Sequence, residues 1–221
     1  MTDFQPKRTI AIGDIHGCSA ALKALLDAVQ PNTDDLIITL GDYVDRGPDS
    51  RGVIEQLFTL QDRSNLIPIL GNHEIMMLAS VDSQVEYAFW LGCGGQETLE
   101  SYGGTVEDIP RDHLEFLAHC RRFHETDSHI FLHANYDFRL ELEKQPEHFL
   151  FWEHVSYNPP QPHKSGKTAI VGHTPQPTGE ILDLGHLICI DTYCFGGAWL
   201  TALDVQSGRL WQANQDGDLR E

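Results

Sequence analysis

The chain has 221 residues, enough for one sizeable core, and we read it as a single catalytic domain over residues 1–221. Its 33 acidic against 15 basic residues give a net charge of −18, which argues against nucleic acid or an anionic membrane surface as a partner. No apolar run approaches the ~18 residues of a membrane helix, residues 1–8 show no leader-like apolar core, and the five cysteines form no Cys-x-x-Cys pair. These features lead us to expect a cytoplasmic, monomeric protein with reduced thiols.

In chain order, the apolar run 9–12 predicts a strand that stops at Gly13-Asp14-Ile15-His16-Gly17. Residues 18–29 follow with Ala21, Leu22, Leu25, Leu26 and Val29 at helical spacing. The run 36–40 predicts a second strand, stopping at Gly41-Asp42-Tyr43-Val44-Asp45-Arg46-Gly47. A second helix carries Val53, Ile54, Leu57, Phe58 and Leu60, and a third strand at 66–70 stops at Gly71-Asn72-His73-Glu74. The spacing predicts one helix over 74–91, a break at 92–95, a helix over 96–102, and another holding His113, Leu114, Phe116 and Leu117. Strands at 129–132 and 168–171 stop at His133 and at Gly172-His173-Thr174-Pro175. Between them, the proline-rich stretch 156–165 predicts a surface loop at the cleft. Strands at 187–190, 198–203 and 209–211 close the chain, the last two joined by a turn at Ser207-Gly208.

Five strand-like runs therefore end in a metal-ligand residue type. Carboxyl ends of strands in open α/β sheets line the crevice where sites are built, so Asp14, His16, Asp42, Asn72, His133 and His173 are expected to converge. Six oxygen and imidazole ligands without a thiolate suit a pair of divalent ions, manganese first, with iron, zinc or nickel as alternatives. Asp42 is the expected bridge. His113, His119, His124 and His129 end no glycine-hinged strand and are read as surface or supporting residues. Glu74 is left open between support and no role.

In their order, these motifs resemble the phosphoprotein phosphatases, in particular the compact bacterial and phage members. The resemblance implies a calcineurin-like α/β fold, two stacked mixed β-sheets flanked by helices, around a dinuclear metal centre. It further implies hydrolysis of phosphate monoesters, with phosphoserine or phosphothreonine in proteins or peptides as the expected substrate and phosphotyrosine as an option. Asp14, His16 and Asp42 would hold one ion; Asp42, Asn72, His133 and His173 the other. A water activated between the ions would attack phosphorus directly, Arg46 would grip the phosphate, and His73, oriented by Asp45, would protonate the leaving oxygen.

Two departures stand out. Where relatives carry a second phosphate-binding arginine after a tryptophan, Trp152 is followed by Glu153 and His154, so His154 is the expected phosphate contact, in its protonated form, with substitution by Arg139 or a weaker hold on phosphate as the alternatives. Tyr193 stands where a glycine is common and would put an aromatic wall near the substrate. The alternative function is dinucleoside tetraphosphate hydrolysis, with Tyr193 stacking a base; a non-catalytic phosphoprotein-binding scaffold is the third reading.

Overall fold

In a computed structural model that describes residues 5–221, ten strands form two five-stranded sheets. The reading of residues 1–8 lies partly outside the described residues. The first sheet has the order β10(Leu210–Ala213), β9(Leu200–Asp204), β1(Arg8–Ile12), β2(Asp35–Thr39), β3(Asn65–Pro68). Its last three strands run parallel, because α1(Ser19–Val29) and α2(Ser50–Arg63) return the chain over one face. The second sheet has the order β4(Phe123–Glu125), β5(His129–Leu132), β6(Thr168–Val171), β8(Leu187–Cys189), β7(Leu182–Asp183), parallel at the centre and antiparallel at both edges. Both sheets are mixed, as expected.

Alternation along each strand explains the layering. Ile10, Ile12 and Ile37 pack with Leu22, Leu25, Val53 and Leu57 of the helices, whereas Ala11, Ile38 and Leu40 meet Phe131, Ile170 and Ile190 of the second sheet. On that sheet's far side, Ile130, Leu132 and Val171 pack with Leu150 and Phe151 of α7(Glu147–Trp152). Strands buried on both faces read as continuous apolar runs, which is why the sequence shows them so plainly.

The expected helix over 74–91 is two helices, α3(Asn72–Ser80) and α4(Gln84–Trp90). The Ser83 hydroxyl accepts the Glu86 N–H at 3.3 Å and so caps a new helix start. The expected break at 92–95 is present as a kink within Leu91–Gly95, where Gly94 at φ +111° leaves the helical backbone before α5(Gln96–Tyr102) begins. After α6(Arg111–Ala118), strands β4 and β7, of three and two residues, are too short to leave a periodic signal. All five cysteines are free thiols.

Where β1 and β2 begin, Asp35 is buried and receives both Nε and Nη2 of Arg8, at 2.9 and 2.6 Å. Burial pushes its carboxyl up, but the hydrogen bonds from Arg8 and the Asn32 N–H outweigh this and hold it below its ordinary value. The contribution is therefore full above the unfolded carboxyl's pKa of about 4 and is lost as pH falls through the lower folded value. Asp35→Ala should cost about 1–3 kcal/mol at pH 7, the low end reflecting an arginine that still reaches water. Urea denaturation at pH 7 and pH 3 would check this, and the deficit should shrink at the lower pH.

Candidate active site

Each expected ligand sits where its strand stops. Asp14 and His16 follow β1, Asp42 follows β2, Asn72 and His73 open α3 behind β3, His133 follows β5 and His173 follows β6. The carboxyl ends of strands from both stacked sheets converge here, so the first supplies Asp14, His16, Asp42, Asn72 and His73 and the second His133 and His173. All are buried except His173, which is half-buried.

Two groups of donor atoms gather within 4.8 Å: His16, Asp42 and His73; and Asp42, His133 and His173. Asp42 belongs to both. Its Oδ2 lies 3.4 Å from His16 Nε2 and its Oδ1 lies 3.4 Å from His133 Nε2, as a bridging ligand requires. Asn72 joins the second group, with Oδ1 2.9 Å from His133 Nε2. Asp14 differs from expectation: it is outside both groups, and both its oxygens accept the His173 N–H, at 3.1 and 2.9 Å.

Hydrogen-bond accounting tests whether cations fit. The Nδ1 of His133 can only donate to the Leu40 carbonyl at 2.8 Å, so a neutral ring offers a lone pair at Nε2 to Asn72 Oδ1, which is also an acceptor. In the same way His16 donates from Nδ1 to the Val44 carbonyl at 2.9 Å and turns a lone pair toward Asp42. The Nε2 of His173 is buried without any partner. Burial holds all three rings below their ordinary pKa, His173 at about 3, so none supplies the missing proton. Burial, with the charges of Asp191 and Asp42, pushes Asp14 well up. Acceptors facing acceptors among crowded carboxylates, with the Arg46 guanidinium as the donor beside His16 Nε2 alone, fit divalent cations.

Arg46 Nη1 donates to His16 Nε2 at 3.0 Å, and its guanidinium lies 4.7 Å from the Phe195 ring centre. Phe195 also meets the rings of His16 and Tyr193, each at 4.8 Å. Tyr193 is at the cleft as expected, held at φ +64° over Gly196, where a Cβ would come within 1.9 Å of its ring. His154 stacks 4.6 Å from His173, beside the second group; burial keeps its pKa low, so it would meet a phosphate as a neutral donor. Arg139 is exposed and occupied by Asp137, at 2.9 and 2.6 Å, and cannot replace it.

His73 donates from Nδ1 to Asp45 Oδ2 at 2.6 Å, leaving Nε2 facing the cluster. Burial opposes charge on this ring, but the Asp42 charge and the Asp45 hydrogen bond outweigh it and hold its pKa above the ordinary value. Glu74, left open by the sequence, has a definite place: its carboxylate accepts the N–H groups of Asp42 at 2.8 Å, Tyr43 at 2.8 Å and Gly71 at 2.9 Å. It ties the turn after β2 to the start of α3. Burial, then the Asp42 charge, pushes its pKa to about 8. Glu74→Gln would turn an amide toward these donors and should cost about 1–3 kcal/mol. At about 2–4 °C per kcal/mol for a domain of this size, a thermal melt would resolve it.

The sequence did not reveal Trp90, Thr98 or Phe195, which contact Asp45 and Arg46 from segments with no metal-ligand pattern. His113, by contrast, is a core residue bonded to the Tyr102 hydroxyl at 2.8 Å, and His119 is exposed, so neither joins the site.

The profile of the calcineurin-like phosphoesterases matches residues 7–200. The chain belongs to this family. The family implies divalent metal ions, and the two donor groups of this phosphoesterase are where they would bind. Among curated proteins it is 39% identical over 156 residues to the symmetrical bis(5'-nucleosyl)-tetraphosphatases of Burkholderia pseudomallei strain 668 and Burkholderia mallei strain SAVP1. That alignment takes in 66% of this chain and 50% of each relative, so the chain matches about half of their length. Among solved structures, a protein provisionally assigned as a diadenosine tetraphosphatase superposes with a TM-score of 0.71 at 24% identity, covering 95% of both chains. The cold-active protein-tyrosine phosphatase of a psychrophilic Shewanella superposes at 0.70 with 16% identity, covering 98% of this chain and 80% of that one. No helix among the described residues is long and apolar enough to cross a membrane.

Proposed function

We propose that this phosphoesterase hydrolyses dinucleoside polyphosphates, cutting a phosphoanhydride between the two nucleosides. The observation that carries this reading is Arg46, held between His16 and the Phe195 ring with Tyr193 behind it. A fixed cation for phosphate beside two half-buried aromatic rings suits a ligand with phosphate at one end and a planar base at the other. The substrate for which the 39% identical relatives are named supports the same reading.

Two bound divalent ions, for which manganese is the first choice, would supply charge neutralisation at phosphorus and a more acidic water. The chain's own residues do the rest. Arg46 neutralises phosphoryl oxygens, His154 donates an N–H from beside His173, and His73 delivers a proton from Nε2 to the leaving oxygen while Asp45 holds its Nδ1–H.

The His73–Asp45 pair favours a second reading, hydrolysis of phosphoserine or phosphothreonine in proteins, because an alkoxide leaves poorly without a proton whereas a nucleotide leaves as a stable anion. The deciding measurement is kcat/KM of the manganese-loaded protein on diadenosine tetraphosphate and on a phosphoserine peptide, with a metal-free control. Preference for the dinucleotide is expected; preference for the peptide would overturn the first reading in favour of the second. Base stacking contributes about 1–3 kcal/mol, so Phe195→Ala should raise KM for the dinucleotide about 10-fold or more and leave KM for p-nitrophenyl phosphate nearly unchanged.

A further inference from the structure

Asp45 is fully buried, and its carboxylate is held by side chains from three separate helices. Besides His73, it receives Trp90 Nε1 on both oxygens, at 3.0 and 2.9 Å, and the Thr98 hydroxyl on Oδ1 at 2.7 Å. Its own N–H donates back to Thr98 Oγ1 at 2.8 Å and to Ser50 Oγ at 3.1 Å, and the two hydroxyls lie 2.9 Å apart. Trp90 and Thr98 are themselves fully buried. These bonds hold Asp45 and Arg46 at φ +74° and +69°, two consecutive left-handed residues that would otherwise relax.

The convergence depends on the kink within Leu91–Gly95. Eight residues of straight α-helix span about 12 Å, so Trp90 and Thr98 could not reach one carboxylate from an unbent helix. Gly94, at φ +111°, breaks the helix between them, and Gly95 lies so close to the indole that a Cβ would come within 2.5 Å of it. The Gly94 carbonyl also accepts the Arg46 N–H at 3.0 Å, and a Cβ on Gly94 would come within 2.7 Å of the Arg46 side chain. One bend therefore fixes the partner of His73 and the backbone of Arg46 together.

We propose that Trp90 and Thr98 are positioning residues, which lock the Asp45 carboxylate so that Oδ2 meets His73 Nδ1 and the ring presents Nε2 to the leaving oxygen. The inference rests on the reading of His73 as the general acid. Trp90 and Thr98 touch no substrate, and their contribution passes through Asp45. Two neutral donors, the Trp90 indole and the Thr98 hydroxyl, keep this carboxylate in one orientation without neutralising it, which a lysine or arginine in their place would do.

Trp90→Phe and Thr98→Val each remove a donor with little change in shape, and Thr98→Ser restores the hydroxyl. The manganese-loaded variants would be compared on an alkyl phosphate, whose leaving oxygen needs a proton, and on p-nitrophenyl phosphate, whose leaving oxygen does not. His73→Ala serves as the reference. General acid catalysis contributes about 10²–10⁴-fold, so losing a support should lower kcat on the alkyl ester about 10-fold or more. KM, metal content and turnover of the nitrophenyl ester should stay near the parent values, and Thr98→Ser should recover most of the loss. A measurement independent of turnover is the proton NMR signal of the His73 Nδ1–H, expected far downfield and lost or broadened in Trp90→Phe and Thr98→Val. Equal losses on both esters, or an unchanged Nδ1–H signal, would overturn the positioning role while a discriminating His73→Ala leaves the acid standing. A His73→Ala that loses both esters equally would sink the acid and this inference together.

Discussion

Asp42→Asn should remove both metal ions and lower kcat/KM by at least about 10³-fold. Asp42 is the one side chain that reaches both donor groups, 3.4 Å from His16 Nε2 on one side and 3.4 Å from His133 Nε2 on the other. An asparagine offers a single neutral oxygen, so it can serve one side at most. Charge stabilisation by bound metals is worth several kcal/mol at phosphorus, and each 1.36 kcal/mol is a factor of ten in rate. The fold should survive, because the asparagine oxygen can still accept the His73 N–H that Asp42 Oδ1 takes at 3.1 Å. Metal content by atomic emission, read beside a thermal melt, is the check. Retention of both ions at full occupancy would disprove Asp42 as the bridge.

His73→Asn should leave metal content close to the parent value yet cut kcat about 10²–10⁴-fold on substrates with poor leaving groups. Asp45→Asn gives the matching pH prediction. Because the Asp45 hydrogen bond and charge help hold the His73 pKa up, their loss lets burial pull it down. The acid form is then lost at lower pH, so the alkaline limb of the kcat profile should move to lower pH. An unmoved limb would mean that another group supplies the proton. The structural donor group that contains His73 gives the experiment a second reading: if His73 instead holds a cation, His73→Asn will also lose metal.

Much of this site was legible because its residues sit at strand ends, and strands buried on both faces announce themselves as uninterrupted apolar runs. Asp42, Asn72, His133 and His173 were found that way, and glycines beside them marked the turns. What the sequence hid lies in helices. Trp90 and Thr98 reach Asp45 only because Gly94 bends the chain between them, and a glycine cluster in a sequence marks the break without showing which side chains the bend brings together. Asp14 shows a second limit. Position at a strand end predicts that a carboxylate faces the crevice, but not which backbone N–H it will meet there, in this chain that of His173. Glu74 shows a third, since nothing in a sequence reveals that one carboxylate will collect amides from two separate turns.

Of the seven non-glycine residues with positive φ among those described, Gln30 closes α1 and the other six, His16, Asp42, Asp45, Arg46, His173 and Tyr193, surround the site. For descendants of this chain, that geometry makes inactivity easy to reach. Glycine at any of these six would relieve backbone strain while deleting a side chain the chemistry uses, and in a lineage relieved of selection that relief offsets part of the stability lost with the side chain. The architecture would outlast the activity, so within such lineages these six positions, rather than overall likeness, are the place to read whether a given copy still works.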